Sequence, residues 1–136
     1  MRTKILTAIV LLLVVVSVSY AKRLNHERYY QDMWCADNNG QTEVIVQSGA
    51  RCDCLTETHA IEFDFANKWA EAIGQSLHYA AQTNKRAGIV LIMEQPERDT
   101  KYLERLRLTI SSYNLPIDVW TTTGPNPIKA TENNTD

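Results

Sequence analysis

Hydrophobic and polar positions alternate with two different periods along the chain, and each change of period marks an element. From about Asn25 to Ala36 the large apolar residues Tyr29, Tyr30, Met33 and Trp34 recur at i, i+1, i+4 and i+5, the stripe of an amphipathic helix. Asp37-Asn38-Asn39-Gly40 is a turn signal. Gln41 to Gln47 and Arg51 to Thr56 read as strands joined through Ser48-Gly49, a hairpin. Over Thr58 to Phe65 the period is two, with Ile61, Phe63 and Phe65 on one face and Glu62 and Asp64 on the other. The helical period returns from Asn67 to Gln82, where Trp69, Ile73, Leu77 and Ala80 or Ala81 form the apolar side. Gly88 to Glu94 holds the continuous run Ile89-Val90-Leu91-Ile92, which suits a strand covered on both faces. Asp99 to Tyr113 carries Tyr102, Leu103, Leu106 and Ile110 at helical spacing, stopped by Asn114 and Pro116, and Ile117 to Thr121 is a last strand. The order α-β-β-β-α-β-α-β predicts an α/β fold, a mixed sheet between helices.

The two ends of the chain break this pattern. Arg2 and Lys4 precede an apolar run, Ile5 to Val16, interrupted only by Thr7, and Ser19-Tyr20-Ala21 offers small residues for a peptidase. These features predict a signal peptide over residues 1–21 and an exported product, periplasmic or secreted. The run is shorter than the ~20 residues of a membrane span, so no stable membrane insertion is expected after cleavage. An uncleaved N-terminal anchor is the alternative. Residues 124–136 turn to Pro, Asn, Thr and Lys with little to bury, the composition of a disordered tail. Residues 22–123 remain as a single domain.

Charge and cysteines narrow the picture. The chain of 136 residues carries a formal charge of −2, and removing Arg2 and Lys4 leaves −4 on the mature part. That balance argues against a basic nucleic-acid coat protein and against adsorption on anionic membranes. It does not exclude an enzyme whose acidic site is neutralised by a metal. Export favours pairing among Cys35, Cys52 and Cys54. A Cys52–Cys54 bridge is strained, so Cys35 is expected to pair with Cys54 (or Cys52). Strand alternation places Cys52 and Cys54 together on the face opposite Asp53.

The chemistry concentrates between Arg51 and Tyr79. If the second and third strands are neighbours, Asp53, Glu62 and Asp64 converge, and three carboxylates so placed repel one another unless a cation lies among them. Oxygen donors of this kind suit Mg²⁺, Mn²⁺ or Ca²⁺. The plainer reading is that Glu62 and Asp64 line a solvated strand face. Lys68, Gln75 and Tyr79 follow on the next helix, seven and four residues apart. At ~100° per residue they share one polar face. A lysine there can stabilise charge developing on a phosphate; the plainer reading pairs it with Glu71 or Asp64. His59 and His78 have no evident partner in sequence, and Trp34, Trp69 and Trp120 are expected in the core.

Asp53, Glu62-Phe-Asp64, Lys68 and Gln75-Ser-Leu-His-Tyr79 together resemble the PD-(D/E)xK nuclease superfamily, with a Gln-xxx-Tyr signature similar to its RecB-like branch. Segments such as DCLTETHAIEFDFANKWAEAIGQSLHYA and GIVLI are also similar to those of small exported bacterial proteins. The resemblance implies a restriction-endonuclease-like fold over roughly Glu27 to Trp120, with nucleic acid as partner and Mg²⁺ (or Mn²⁺) as cofactor. It implies Asp53 and Glu62 as metal-binding acids, Asp64 and Glu43 as further acids, Lys68 and Gln75 in catalysis, and Tyr79 on the substrate. Asp64 stands where the family usually has its lysine, and Lys68 on the following helix would replace it. The implied activity is phosphodiester hydrolysis of DNA or RNA. The alternative is a catalytically inactive descendant acting as an exported binding or structural protein.

Overall fold

The computed structural model describes residues 22–124. The expected signal peptide, and the expected tail beyond Gly124, lie outside the described residues. The elements run α1 (Glu27–Asp37), β1 (Gln41–Ile45), β2 (Arg51–Leu55), β3 (His59–Phe65), a 3₁₀ turn (Ala66–Lys68), α2 (Trp69–Thr83), β4 (Arg86–Ile92), α3 (Pro96–Ser112) and β5 (Ile117–Thr122). The five strands form one mixed sheet in chain order, flanked by helices. β1, β2 and β3 are antiparallel neighbours; β3, β4 and β5 are parallel.

This topology decides where the helices go. The crossovers β3–α2–β4 and β4–α3–β5 advance in one direction across the sheet, and right-handed crossovers then place both helices on the same face. There Ala72, Ile89, Leu91, Leu106 and Ile117 make a core, with Trp69, Ile73, Leu77 and Ala80 packed against it. Ala81 is exposed, which settles the alternative left by the helical stripe. The opposite face is left to α1, whose Tyr30 and Cys35 meet Cys54, Ile61, Phe63, Phe65, Val90 and Ile92, with Trp34 and Trp120 at the margin. β4, central in the sheet, is buried from Ala87 to Ile92, as its continuous apolar run predicts.

A disulfide joins Cys35 at the end of α1 to Cys54 in β2, across a sequence separation of 19. Closing a loop of that size stabilises the fold by roughly 3 kcal/mol on the loop-entropy account. Gly40 lies directly on the bridge: a Cβ there would stand 2.6 Å from the sulfurs of both Cys35 and Cys54. Helix α3 begins at Pro96, earlier than its apolar spacing indicates. Proline is favoured at a helix start, and buried Asp99 reaches back to accept the Gln95 N–H at 3.1 Å. β4 likewise begins two residues early, because Arg86 already pairs with His59.

Candidate active site where β2 leaves β3

The ladder between β2 and β3 is short. Paired residues are Leu55↔Ala60 and Cys54↔Ile61. One step further, the Asp53 carboxylate takes over, its Oδ2 accepting the Phe63 N–H at 2.8 Å. A side chain therefore satisfies a backbone donor that strand pairing leaves over. Continuing the registers places Glu43, Asp53 and Glu62 in one row across β1, β2 and β3. Glu43 holds a left-handed backbone, φ 59°. Its carboxylate lies 2.9 Å from Arg51 Nη1 and 3.5 Å from Arg28 Nη1, so two guanidiniums hold it at the edge of the row.

Glu62 and Asp64 do not line a solvated face. Each is only 4% exposed. Helix α2 packs over β3 and removes that face from water. Glu62 Oε2 is buried without a hydrogen-bond partner. Burial, then the charge of neighbouring Asp53, pushes Glu62 up to about 10. Burial also raises Asp53, against the lowering effect of the Phe63 N–H. The Asp53–Glu62 pair thus retains a proton at neutral pH. Asp64 is pushed up to about 7 by burial and by Glu27, with Lys68 acting in the opposite direction.

The surrounding side chains come from both helical layers. Lys68 is exposed at the end of the 3₁₀ turn, and the described residues show no ion pair between it and Glu71 or Asp64. Tyr79 is buried and is pushed up to about 12 by burial, then by Glu62, Asp53 and Cys52, while a hydrogen bond from exposed Gln75 opposes the shift. Lys68 thus bears on Asp64 and Glu27, Tyr79 responds to Glu62 and Asp53, and Gln75 bears on Tyr79 alone.

Two members of the site escaped the sequence reading. Buried Gln31 acts to lower Asp53 and leaves its own Oε1 unpartnered. Glu27, raised by burial and by Asp53, is lowered by Lys68 and Arg23. Both lie on α1, and Glu27, Gln31 and Cys35 stand at i, i+4 and i+8. The signal was there: a helix face that presents a disulfide cysteine to the sheet presents its i−4 and i−8 residues as well.

One expectation about the strand fails. Cys52 and Cys54 do not share a face: Cys54 joins the α1-side core, whereas Cys52 packs with Val46, Ala60 and Tyr79. Strict alternation is lost at Asp53, where β2 turns away from β3. Cys52 is a free buried thiol, pushed up to about 11 by burial.

The histidines do have partners, distant in sequence. His59 Nε2 meets Asp118 Oδ2 at 2.8 Å and its Nδ1 meets Thr58 Oγ1 at 2.7 Å, with Arg86 also on Asp118 at 2.7 Å. His78 Nε2 lies 2.9 Å from Ser48 Oγ.

No family model, curated protein or solved structure matches this chain. The donors at the site are oxygens, and the orphaned Glu62 Oε2 is a buried acceptor that a hard divalent cation would satisfy. Asp53 and Glu62 fit as its ligands. Among the described residues no group of three or more His, Cys, Asp or Glu is arranged to hold a metal ion, so water or substrate oxygens would complete the shell.

Proposed function

We propose that this protein is an exported, metal-dependent, nuclease-like hydrolase of phosphodiester bonds in DNA or RNA, built on a restriction-endonuclease-like variant of the α/β sheet. The observation that carries the reading is the buried Asp53–Glu62 pair with its unpartnered oxygen. Asp53 and Glu62, both as carboxylates, would hold Mg²⁺ or Mn²⁺, and the ion would supply charge neutralisation at the phosphate and a more acidic water. Asp64, pushed up to about 7, exchanges a proton near neutral pH, which suits a base toward the attacking water. Lys68 places its ammonium where phosphate charge develops. Gln75 orients the Tyr79 hydroxyl, and Gln31 steadies Asp53 from the other layer. The disulfide is consistent with an oxidising compartment. No helix among the described residues is long and apolar enough to cross a membrane.

The test is cleavage of single- and double-stranded DNA and RNA by purified protein with Mg²⁺ or Mn²⁺. Asp53→Asn, which keeps an acceptor for the Phe63 N–H, is the control. Cleavage that falls at least 100-fold in Asp53→Asn supports the proposal. No cleavage by the unsubstituted protein, or equal cleavage by the variant, sinks it.

A second reading is favoured by one observation: the shared proton already satisfies much of the Asp53–Glu62 pair without a cation. The protein is then an inactive descendant that binds or scaffolds, and calorimetry would show no heat of Mg²⁺ or Mn²⁺ binding that Asp53→Asn removes.

A further inference from the structure

Beside the carboxylates lies a second feature that the proposed chemistry does not use. The chain ahead of α1 lies by the carboxyl end of β3 and borders an open groove of about 760 Å³ lined by Lys22, Arg23, His26, Glu27, Tyr29 and Phe65, among others. The strap is built rather than draped. Glu94, just past β4, accepts the N–H groups of Leu24 and Asn25 at 2.9 and 3.1 Å and the Tyr30 hydroxyl at 2.7 Å, all on Oε1. Three donors on one carboxylate oxygen hold the segment in place.

The cavity differs in charge from the rest of this acidic protein. The Arg23 Cζ lies over the Phe65 ring, 3.5 Å from its centroid. Stacking of that kind occupies the face of the guanidinium and leaves its N–H edge open to an anion. None of the ion pairs among the described residues involves Lys22 or Arg23. The N-terminus of α1 opens onto the same space, and no side chain caps it. Tyr29 supplies a partly exposed ring, 39% accessible, braced edge-on by Tyr30 at 5.4 Å.

Position ties this cavity to the acidic site. Glu27 lines it, and the charges of Asp53, Lys68 and Arg23 all reach Glu27. Ligands of open α/β sheets collect outside the carboxyl ends of parallel strands, where Phe65 and Glu94 stand.

We infer that the Lys22–His26 strap and Tyr29 form a binding cleft for single-stranded nucleic acid, with Arg23 and Lys22 on a backbone phosphate and Tyr29 stacking on the adjoining base. The inference rests on the phosphodiesterase reading and names its substrate class. An exposed ring can stack only on a base that is not already stacked within a duplex, so Tyr29 favours a single strand. The few cations make binding weak and dependent on salt.

The experiment measures anisotropy of a labelled ten-nucleotide oligothymidylate in EDTA, using Asp53→Asn protein so that cleavage does not intervene. Arg23→Gln keeps a planar group over Phe65 and loses the charge. It should weaken binding roughly ten-fold and reduce the slope of log K against log[salt] by about 0.7. Tyr29→Ala should weaken oligonucleotide binding roughly ten-fold yet leave inorganic polyphosphate binding unchanged. A duplex of the same length should bind more weakly. Unchanged affinity in Arg23→Gln, tighter duplex binding, or equal Arg23-dependent binding to anionic phospholipid vesicles overturns the inference. The two proposals fail separately. Arg23-dependent binding without any cleavage removes the hydrolytic reading and leaves the cleft. Cleavage whose KM is unchanged in Arg23→Gln removes the cleft and leaves the chemistry.

Discussion

At the scale of single residues, the protein places acids where water cannot reach them. A carboxyl whose folded pKa lies above its unfolded value is held protonated by the fold. Its contribution to stability is complete below the unfolded value and is lost as pH rises toward the folded one. For Glu62 that window runs from 4.5 to about 10, and for Asp64 from 3.8 to about 7. The metal-free protein should therefore melt at progressively lower temperature from pH 5 to pH 9. Glu62→Gln, which keeps the shape and carries no charge, should stabilise the fold by on the order of 2 kcal/mol at pH 8 and flatten that pH dependence. Denaturant titrations at pH 5 and pH 8 measure both effects; an identical pH profile in the variant would contradict the burial argument. A cation at the same pair competes with the proton. The rise in melting temperature on adding Mg²⁺ should thus be larger at pH 8 than at pH 5 and absent in Glu62→Gln. A shift independent of pH would place the ion elsewhere.

At the scale of elements, α1 is the part whose docking completes the site. It packs on its face of the sheet through Tyr30 and Cys35, and it carries Glu27 and Gln31, which act on Asp53. The Cys35–Cys54 bridge anchors its last turn. Replacing both cysteines by serine should cost about 3 kcal/mol. Hydrogen exchange should then accelerate over Glu27–Asp37 while β4 stays protected, because β4 is paired on both sides and buried on both faces. Uniform acceleration would show that α1 and the sheet unfold as one unit. Gly40→Ala tests the same junction from the other side. A Cβ 2.6 Å from both sulfurs forces the turn or the bridge to move, a loss of about 1–3 kcal/mol by overpacking. Thermal melts of oxidised and reduced protein separate the causes, since relief in the reduced state identifies the sulfurs as the obstacle.

At the scale of the whole molecule, one sheet organises two kinds of surface. Its antiparallel half, β1 to β3, ends in the acidic row; its parallel half, β3 to β5, supplies the buried frame from which β3 presents Glu62 and Asp64. The site lies where the two halves meet, because there β2 leaves β3 and a side chain replaces a rung of the ladder. The chain carries a formal charge of −2, and its cations near the site sit at the margins: Arg28 and Arg51 on Glu43, Lys68 at the rim, Arg23 on Phe65. Such a molecule should gain affinity for a polyanion when a divalent ion joins Asp53 and Glu62. Anisotropy of a labelled oligonucleotide on Lys68→Ala protein, with and without Mg²⁺, reads this directly. Cleavage by that variant should fall 10- to 100-fold, and unchanged turnover would exclude Lys68 from a role at the phosphate.

Much of this architecture was written in local periodicity. The 3.6 and 2.0 spacings follow from backbone geometry, so side chains such as Tyr30, Phe63, Leu91 and Leu106 announced their elements and faces without any partner being known. The pairing of Cys35 with Cys54 or Cys52 was legible for the same reason, since it rests on a short separation. Only the tertiary structure decided the rest. Whether Glu62 and Asp64 meet water depends on α2 closing over β3, and the alternation of a strand is the same in either case. Cys52 parts from Cys54 because Asp53 bonds across to Phe63, a contact between strands that no single strand encodes. Glu27 and Gln31 entered the site through the docking of α1, and His59 found Asp118 from far along the chain. Position along the chain sets which way a side chain points; packing between distant segments sets what it meets and what charge it carries there.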